Sequence, residues 1–261
     1  MKAVNQSTPY YKADNNMIVF PAVDIKEKRC VRLKQGKADQ ETVFSDDPVS
    51  VARHWEDCGA KWLHVVDLDG AFQGELKNFE TIKEICSGIN IPVQLGGGIR
   101  SLDSARKYFQ TGVERIIIGT LALEDKGVLS GLSAEYPGRI GVSLDAEDQV
   151  LKSKGWVNDT GISVFDVLPD LKDAGVSFLV YTDISRDGMQ SGVNIPAVRD
   201  VVENTTLPVI AAGGVSRLED VKSLYELHEK GLIGVITGKA IYSGSLDFKQ
   251  AVQWLQAEPD S

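Results

Sequence analysis

Cysteine and histidine are scarce in this 261-residue chain, three of each, and the scarcity removes several kinds of chemistry. Cys30, Cys58 and Cys86 are odd in number and lack CxxC spacing, which argues against a disulfide scaffold or a thiolate metal site and leaves reduced thiols of a cytoplasmic protein. His54 and His228 fall in helical patterns and His64 inside a strand pattern, so no metal set is expected. Neither GxSxG nor a Rossmann fingerprint is present, and no Cys/His pairing suggests a covalent nucleophile. Long apolar runs are missing as well; none approaches the roughly 20 residues of a membrane span. Positive charge is short, 28 Lys and Arg against 37 Asp and Glu for a net charge of −9. That balance argues against nucleic acid or acidic membranes as partners and leaves a small molecule, bound by a monomer without a cofactor, as the expectation. Residues 1–16 are polar apart from Tyr10 and Tyr11 and have no apolar h-region, so they read as a disordered extension rather than a secretory signal.

What the chain does have is a repeat. Ile91–Ile99 reads Ile-Pro-Val-Gln-Leu-Gly-Gly-Gly-Ile, and Leu207–Val215 reads Leu-Pro-Val-Ile-Ala-Ala-Gly-Gly-Val, an offset of 116. Each is a short apolar run ending in glycines and followed by an amphipathic segment, the pattern of a buried parallel strand, a tight turn and a helix. A second glycine site follows each copy, at Gly119-Thr120 and at Gly238-Lys239. The same offset relates Gly59 to Gly175, Trp62 to Phe178, Asp67 to Asp183 and Leu102 to Leu218, while Asp24 pairs with Asp145 at 121. Offsets that drift only across loops and helices are the mark of a duplicated half.

Eight strand–helix alternations can be traced from Met17 to Leu255. In two similar halves they close most simply as a parallel (β/α)8 barrel, the TIM-barrel architecture, over 17–261, with halves of about 17–136 and 137–257. An open doubly wound sheet also carries glycine turns, but eight evenly spaced units without a six-strand break fit it less well. Asn78–Cys86, Glu124–Ala134 and Leu218–Glu229 read as helices, Val164–Ala174 as a helix that Pro169 should kink, and Leu68–Gly74 and Gln35–Ser45 as loops.

Units four apart in a closed eight-stranded barrel lie diametrically opposite, at the C-terminal mouth where barrel enzymes keep their sites. Gly97, Gly98, Gly119 and Thr120 would then form one anion cradle, and Gly213, Gly214, Gly238 and Lys239 a facing one, with backbone N–H groups as donors. Asp24 and Asp145 would face each other on another diameter, as general acid–base chemistry requires. Asp187, in the loop after strand six, is a second candidate acid, and Thr182 a residue that orients a carboxylate or touches substrate. Asp67 and Asp183 read as helix caps or loop anchors. A ligand with two phosphates and a reacting centre between them fits the slot.

Phe20-Pro21-Ala22-Val23-Asp24-Ile25, Cys30–Gly36, Val66–Ala71, Gln94–Arg100, Ser143–Ala146, Lys154-Gly155-Trp156 and Thr182–Gly188 together resemble the histidine-pathway isomerase family, phosphoribosylformimino-5-aminoimidazole carboxamide ribotide isomerase. The resemblance covers about Ile18 to Leu255. It implies a cofactor-free Amadori rearrangement of an aminoaldose phosphate to an aminoketose phosphate. By the same resemblance Asp24 would be the base that takes the C2 proton and Asp145, with Asp187 as rival, the acid that assists ring opening. Arg32 and Arg100 would contact the polar arm of the substrate, and Trp156 would stack on the imidazole carboxamide. The sibling cyclase that makes imidazole glycerol phosphate shares the aspartates, but Phe20–Asp24 lacks the cysteine its likeness would want. A bifunctional isomerase that also takes phosphoribosylanthranilate has similar motifs. A non-catalytic sugar-phosphate-binding barrel would keep the glycines but has no use for facing acids.

Overall fold

The apolar runs of the sequence pair edge to edge as parallel strands in a computed structural model that describes residues 17–34, 37–74, 77–153, 156, 158–189 and 191–257. The extension 1–16, Gln35-Gly36 and Lys154-Gly155 lie outside the described residues. Among the described residues there are twelve strands: β1 (Ile18–Lys26), β2 (Arg29–Lys34), β3 (Lys37–Ser45), β4 (Leu63–Asp67), β5 (Val93–Gly96), β6 (Arg115–Ile118), β7 (Ile140–Glu147), β8 (Val150–Ser153), β9 (Asn158–Ser163), β10 (Phe178–Asp183), β11 (Val209–Ala212) and β12 (Leu232–Thr237). Eight of them pair in parallel in the order β1-β4-β5-β6-β7-β10-β11-β12, and β12 returns to β1, so the sheet closes as a (β/α)8 barrel. Helices follow in the order α1 (Pro48–Asp57), α2 (Leu68–Gln73), α3 (Phe79–Gly88), α4 (Leu102–Gln110), α5 (Thr120–Glu124), α6 (Lys126–Glu135), α7 (Val164–Asp173), α8 (Ile195–Glu203), α9 (Leu218–Tyr225), α10 (Lys239–Ser243) and α11 (Phe248–Ala257).

Local chemistry sets the helix starts. Asp47 caps α1 ahead of Pro48, Ser101 and Ser104 form a capping box on α4, and Asn194 caps α8. The expected loop Leu68–Gly74 is instead a short helix, because the Asp67 side chain accepts from Gly70 N at 2.9 Å and Gly74 closes it with left-handed backbone. The span expected as one helix from Glu124 to Ala134 is broken at Asp125, whose carboxylate caps α6 through Val128 N. The expected helix Leu218–Glu229 stops as α9 at Tyr225 and gives way to a 3-10 turn, His228–Lys230. The helix α7 runs continuously through Pro169.

The largest departure from the sequence reading lies after β1. The expected polar loop through Ser45 contains a strand, β3, because β2 presents an edge of unpaired backbone groups that Thr42-Val43-Phe44, good strand formers, can satisfy. The second half repeats the device: β8 and β9 form an antiparallel hairpin on the end of β7. Both hairpins open with two residues at positive φ, Glu27 and Lys28 (49° and 65°) and Asp148 and Gln149 (50° and 64°), the geometry of a type I′ turn. The two turns stand 121 apart, as Asp24 and Asp145 do.

Two apolar layers result. One lies between strands and helices; the other fills the barrel interior with Phe20, Trp62, Ile117, Phe178, Val180, Ile210 and Ile236. At the base of the interior the Arg115 guanidinium is sandwiched between Trp62 and Phe178, 4.2 and 4.1 Å from their ring centres. Above, a buried polar cluster ties the first-half loops together. The Asp67 carboxylate accepts from Gly70 N, from Asn78 Nδ2 at 2.7 Å and from the Tyr108 hydroxyl at 2.6 Å. Asn78 Oδ1 in turn accepts from Lys28 N, and Asp69 from Glu27 N, pinning the first hairpin turn. Replacing Tyr108 by Phe leaves a buried carboxylate short of a donor and is expected to cost about 2 kcal/mol in urea-induced unfolding.

Candidate active site

The two glycine pairs lie at the ends of β5 and β11, four strands apart and therefore opposite each other around the ring. All four glycines have positive φ, between 72° and 92°. The structure adds a reason the sequence did not show. A Cβ on Gly97 would stand 2.2 Å from the Asp67 carbonyl oxygen, and one on Gly213 would stand 2.4 Å from that of Asp183. Glycine is thus demanded by the neighbouring loop of each half, which packs directly on the turn. At the second glycine sites Gly119 and Gly238 begin the short helices α5 and α10, and neither helix receives a side-chain cap.

These turns and the barrel interior bound one cavity of about 700 Å³ at the C-terminal mouth. Every residue named above as a candidate for catalysis or ligand binding lies on its wall. Gly97, Gly98, Gly119, Thr120 and Arg100 stand on one side and Gly213, Gly214, Gly238 and Lys239 on the other, with Asp24, Arg32, Asp145, Trp156, Thr182 and Asp187 between. Three of them make contacts that the sequence did not show. Arg100 donates from Nη2 to the Ala71 carbonyl at 2.7 Å, clipping α2 to the rim. Lys239 Nζ donates to the Gly188 carbonyl at 2.7 Å and so anchors the loop that carries Asp187. Gly238 also makes room for Arg32, whose guanidinium a Cβ there would meet at 2.4 Å.

The two facing carboxylates sit in different surroundings. Asp24 lies near the C-terminal end of β1 and accepts from Arg32 Nη1 at 2.7 Å; the same guanidinium reaches Asp187 at 3.7 Å. Burial pushes the Asp24 carboxyl up, the Arg32 charge and hydrogen bond oppose that, and the Asp187 charge adds to it. Asp145 lies on β7, two residues before its end. Burial pushes it up, hydrogen bonds from Ser143, Trp156 and Thr182 lower it, and Asp187 raises it. The Ser143 hydroxyl donates to Asp145 Oδ1 at 2.7 Å. Burial thus raises both carboxyls, one opposed by a positive charge and the other by neutral donors. Trp156, the expected stacking residue, adopts left-handed backbone at φ 71° and spends its indole N–H on Asp145.

The residues anticipated as anchors behave as such: Asp183 accepts from Ser185 and from Asn194 Nδ2 at 2.8 Å, as Asp67 accepts from Asn78 116 positions earlier. Sequence reasoning missed Ser143 and His64, which also face the cavity. Ser143 was within reach, since it precedes Asp145 by two on one strand and so shares its face. Among the described residues, no group of three or more His, Cys, Asp or Glu side chains is placed to hold a metal ion.

Comparison with known proteins gives a consistent picture. The sequence profile of the family described as "Histidine biosynthesis protein" matches residues 18–247. A protein of Solidesulfovibrio magneticus named 1-(5-phosphoribosyl)-5-((5-phosphoribosylamino)methylideneamino)imidazole-4-carboxamide isomerase is 61% identical over 239 residues, 92% of this chain and 97% of its own length. Proteins of the same name from Maridesulfovibrio salexigens and Nitrosospira multiformis are 60% and 50% identical, covering 92% and 90% of this chain and 99% and 92% of theirs.

Because its folded-state affinity for a proton is raised, Asp145 retains its proton over a pH range in which the unfolded chain has released it. Its contribution to stability is thus full below the ordinary carboxylate value of 3.8 and is lost as pH rises through the folded-state value. Asp145→Asn removes that cost. The variant is expected to melt above the parent at neutral pH, with the gap closing as pH falls toward the ordinary value, as thermal melts at graded pH will show.

Proposed function

The chain belongs to the histidine biosynthesis protein family, and from that membership we propose how its cavity carries out the isomerisation for which its relatives are named. The substrate is an aminoaldose with a phosphate on each ribose-derived arm, and the product is the corresponding aminoketose. The reaction is internally redox-neutral: hydrogen leaves C2 and returns elsewhere in the same molecule, so acid and base groups suffice and no cofactor is needed. A proton delivered to the furanose oxygen lets the C1–O bond break and leaves a protonated imine at C1. A base then removes the C2 proton, and the resulting enaminol takes up a proton at C1 as its C2 hydroxyl gives one up, which leaves the ketone at C2.

Asp145 is the acid and Asp24 the base in this reading. Its single strongest support is the contrast between their neighbours. A carboxyl buried among hydroxyl and indole donors holds its proton for delivery, whereas at Asp24 the Arg32 guanidinium, 2.7 Å away, opposes the upward push of burial and favours the anion. Asp187 shares Arg32 with Asp24, at 3.7 Å, and so resembles the base more than the acid. Thr182 and Ser143 orient Asp145. The glycine turns at Gly97-Gly98 and Gly119-Thr120, and at Gly213-Gly214 and Gly238-Lys239, offer backbone N–H groups to the two phosphates, one at each end. Arg32 and Arg100 face the polar arm, and the Trp156 ring covers the planar heterocycle. The protein works as a monomer in the cytoplasm. Among the described residues no helix is long and apolar enough to cross a membrane.

Asp24→Asn keeps shape and a hydrogen bond to Arg32 but removes the base. Turnover is expected to fall about 10³-fold, followed by absorbance, while substrate affinity by calorimetry stays within about threefold. Turnover equal to the parent would take Asp24 out of the mechanism.

A further inference from the structure

One polar chain inside the barrel has no part in the mechanism above. Arg115, clamped between Trp62 and Phe178, donates from both Nε and Nη2 to Gln94 Oε1, the first at 2.9 Å. Arginine has donors only, so the glutamine amide is locked with its oxygen toward Arg115 and its NH2 away from it. That NH2 lies 2.9 Å from His64 Nδ1. An amide nitrogen only donates, so Nδ1 must be a bare lone pair. Burial and the nearby Arg32 charge push His64 down to about 3, which keeps the ring neutral. The remaining proton is therefore on Nε2. His64 pairs with Ala22, two residues below Asp24, and lines the cavity; among the described residues its Nε2 has no partner.

We propose that His64 presents a fixed Nε2–H donor from the cavity floor to an oxygen of the reacting sugar, and that Gln94 and Arg115 are positioning residues that set its tautomer. This deepens the isomerase reading and rests on it. A neutral N–H suits a hydroxyl oxygen that becomes a carbonyl, because it stabilises charge developing there without competing for the proton in flight. The relay exists in one half only. The matched positions of the second half are Val180, Ile210 and Gly234, at offsets of 116, 116 and 119. In a slot whose phosphate cradles are alike at both ends, a single donor off centre gives the substrate one direction.

The test uses histidine labelled with 15N; the chain has only three histidines, and loss of one signal in His64→Gln assigns the site. The expected parent spectrum has Nε2 protonated and Nδ1 bare, unchanged from about pH 5 to about pH 9. A protonated Nδ1, or a ring that titrates in that range, overturns the proposal. Gln94→Glu supplies a carboxylate that accepts from both Arg115 and His64, so the ring should exchange tautomers. Turnover should then fall about 100-fold with KM within about threefold. Exchanged signals with parental turnover also overturn it. In case Gln94→Glu melts too low to assay, His64→Gln keeps a donor where Nε2 was and should stay within about tenfold of the parent. His64→Asn lacks that donor and should lose about 100-fold; equal losses in the two overturn the proposal. A parent that does not isomerise the aminoaldose would instead defeat the functional reading, with the tautomer still reported by the spectrum.

Discussion

Two buried aspartates hold the mouth of the barrel in shape. Asp67 and Asp183 end β4 and β10, each accepts from an asparagine eleven residues on, and each offers its backbone carbonyl where a side chain of Gly97 or Gly213 would have to be. The contact couples adjacent units: the loop after one strand seats on the glycine turn after the next. If either loop shifted, the turn beside it would lose its support and the backbone N–H groups along it would no longer converge. Burial makes the Asp67 carboxyl reluctant to ionise, and three donors offset that tendency. The Asp67 cluster under the site is thus engaged in holding its geometry.

Duplication explains why so much of the architecture was legible from the chain itself. The offset between Gly97-Gly98 and Gly213-Gly214, extended by Asp67 with Asp183 and Asp24 with Asp145, fixed the number of units and which strands must stand opposite. Short continuous runs of valine, isoleucine and leucine located the strands. What stayed hidden depended on contacts between units. The type I′ turns at Glu27-Lys28 and Asp148-Gln149 contain no glycine or asparagine, so the usual hairpin signal is absent; the turns are imposed by the strands they join and, in the first half, by Asn78 and Asp69. The glycine pairs were marked as places where a ligand approaches; the close seat of a neighbouring loop on each is a further requirement that the sequence did not show. His64 reads as an ordinary buried histidine until Gln94 and Arg115 are seen on the next two strands of the barrel, β5 and β6.

Symmetry and its loss divide the work. The matched parts, glycine turns, anchoring aspartates and hairpins, build a slot alike at both ends. The unmatched parts differentiate it. Arg32 accompanies Asp24, whereas Trp156, Ser143 and Thr182 surround Asp145, so equivalent carboxyls inherited from one ancestral half occupy unlike fields. Trp62 and Phe178, recognisable in the sequence as counterparts, meet across the axis on the two faces of a single Arg115 that only one half supplies.

The stacked guanidinium at the base has a consequence for traffic. With Trp62, Arg115, Phe178 and Phe20 filling the axis, solutes have no through-passage along the barrel. Whatever enters between the hairpin arms must turn round and depart by the same doorway. Exit of a long, doubly charged product therefore competes with entry of the next substrate at a single threshold, and the loops framing it govern how often the chamber is exchanged.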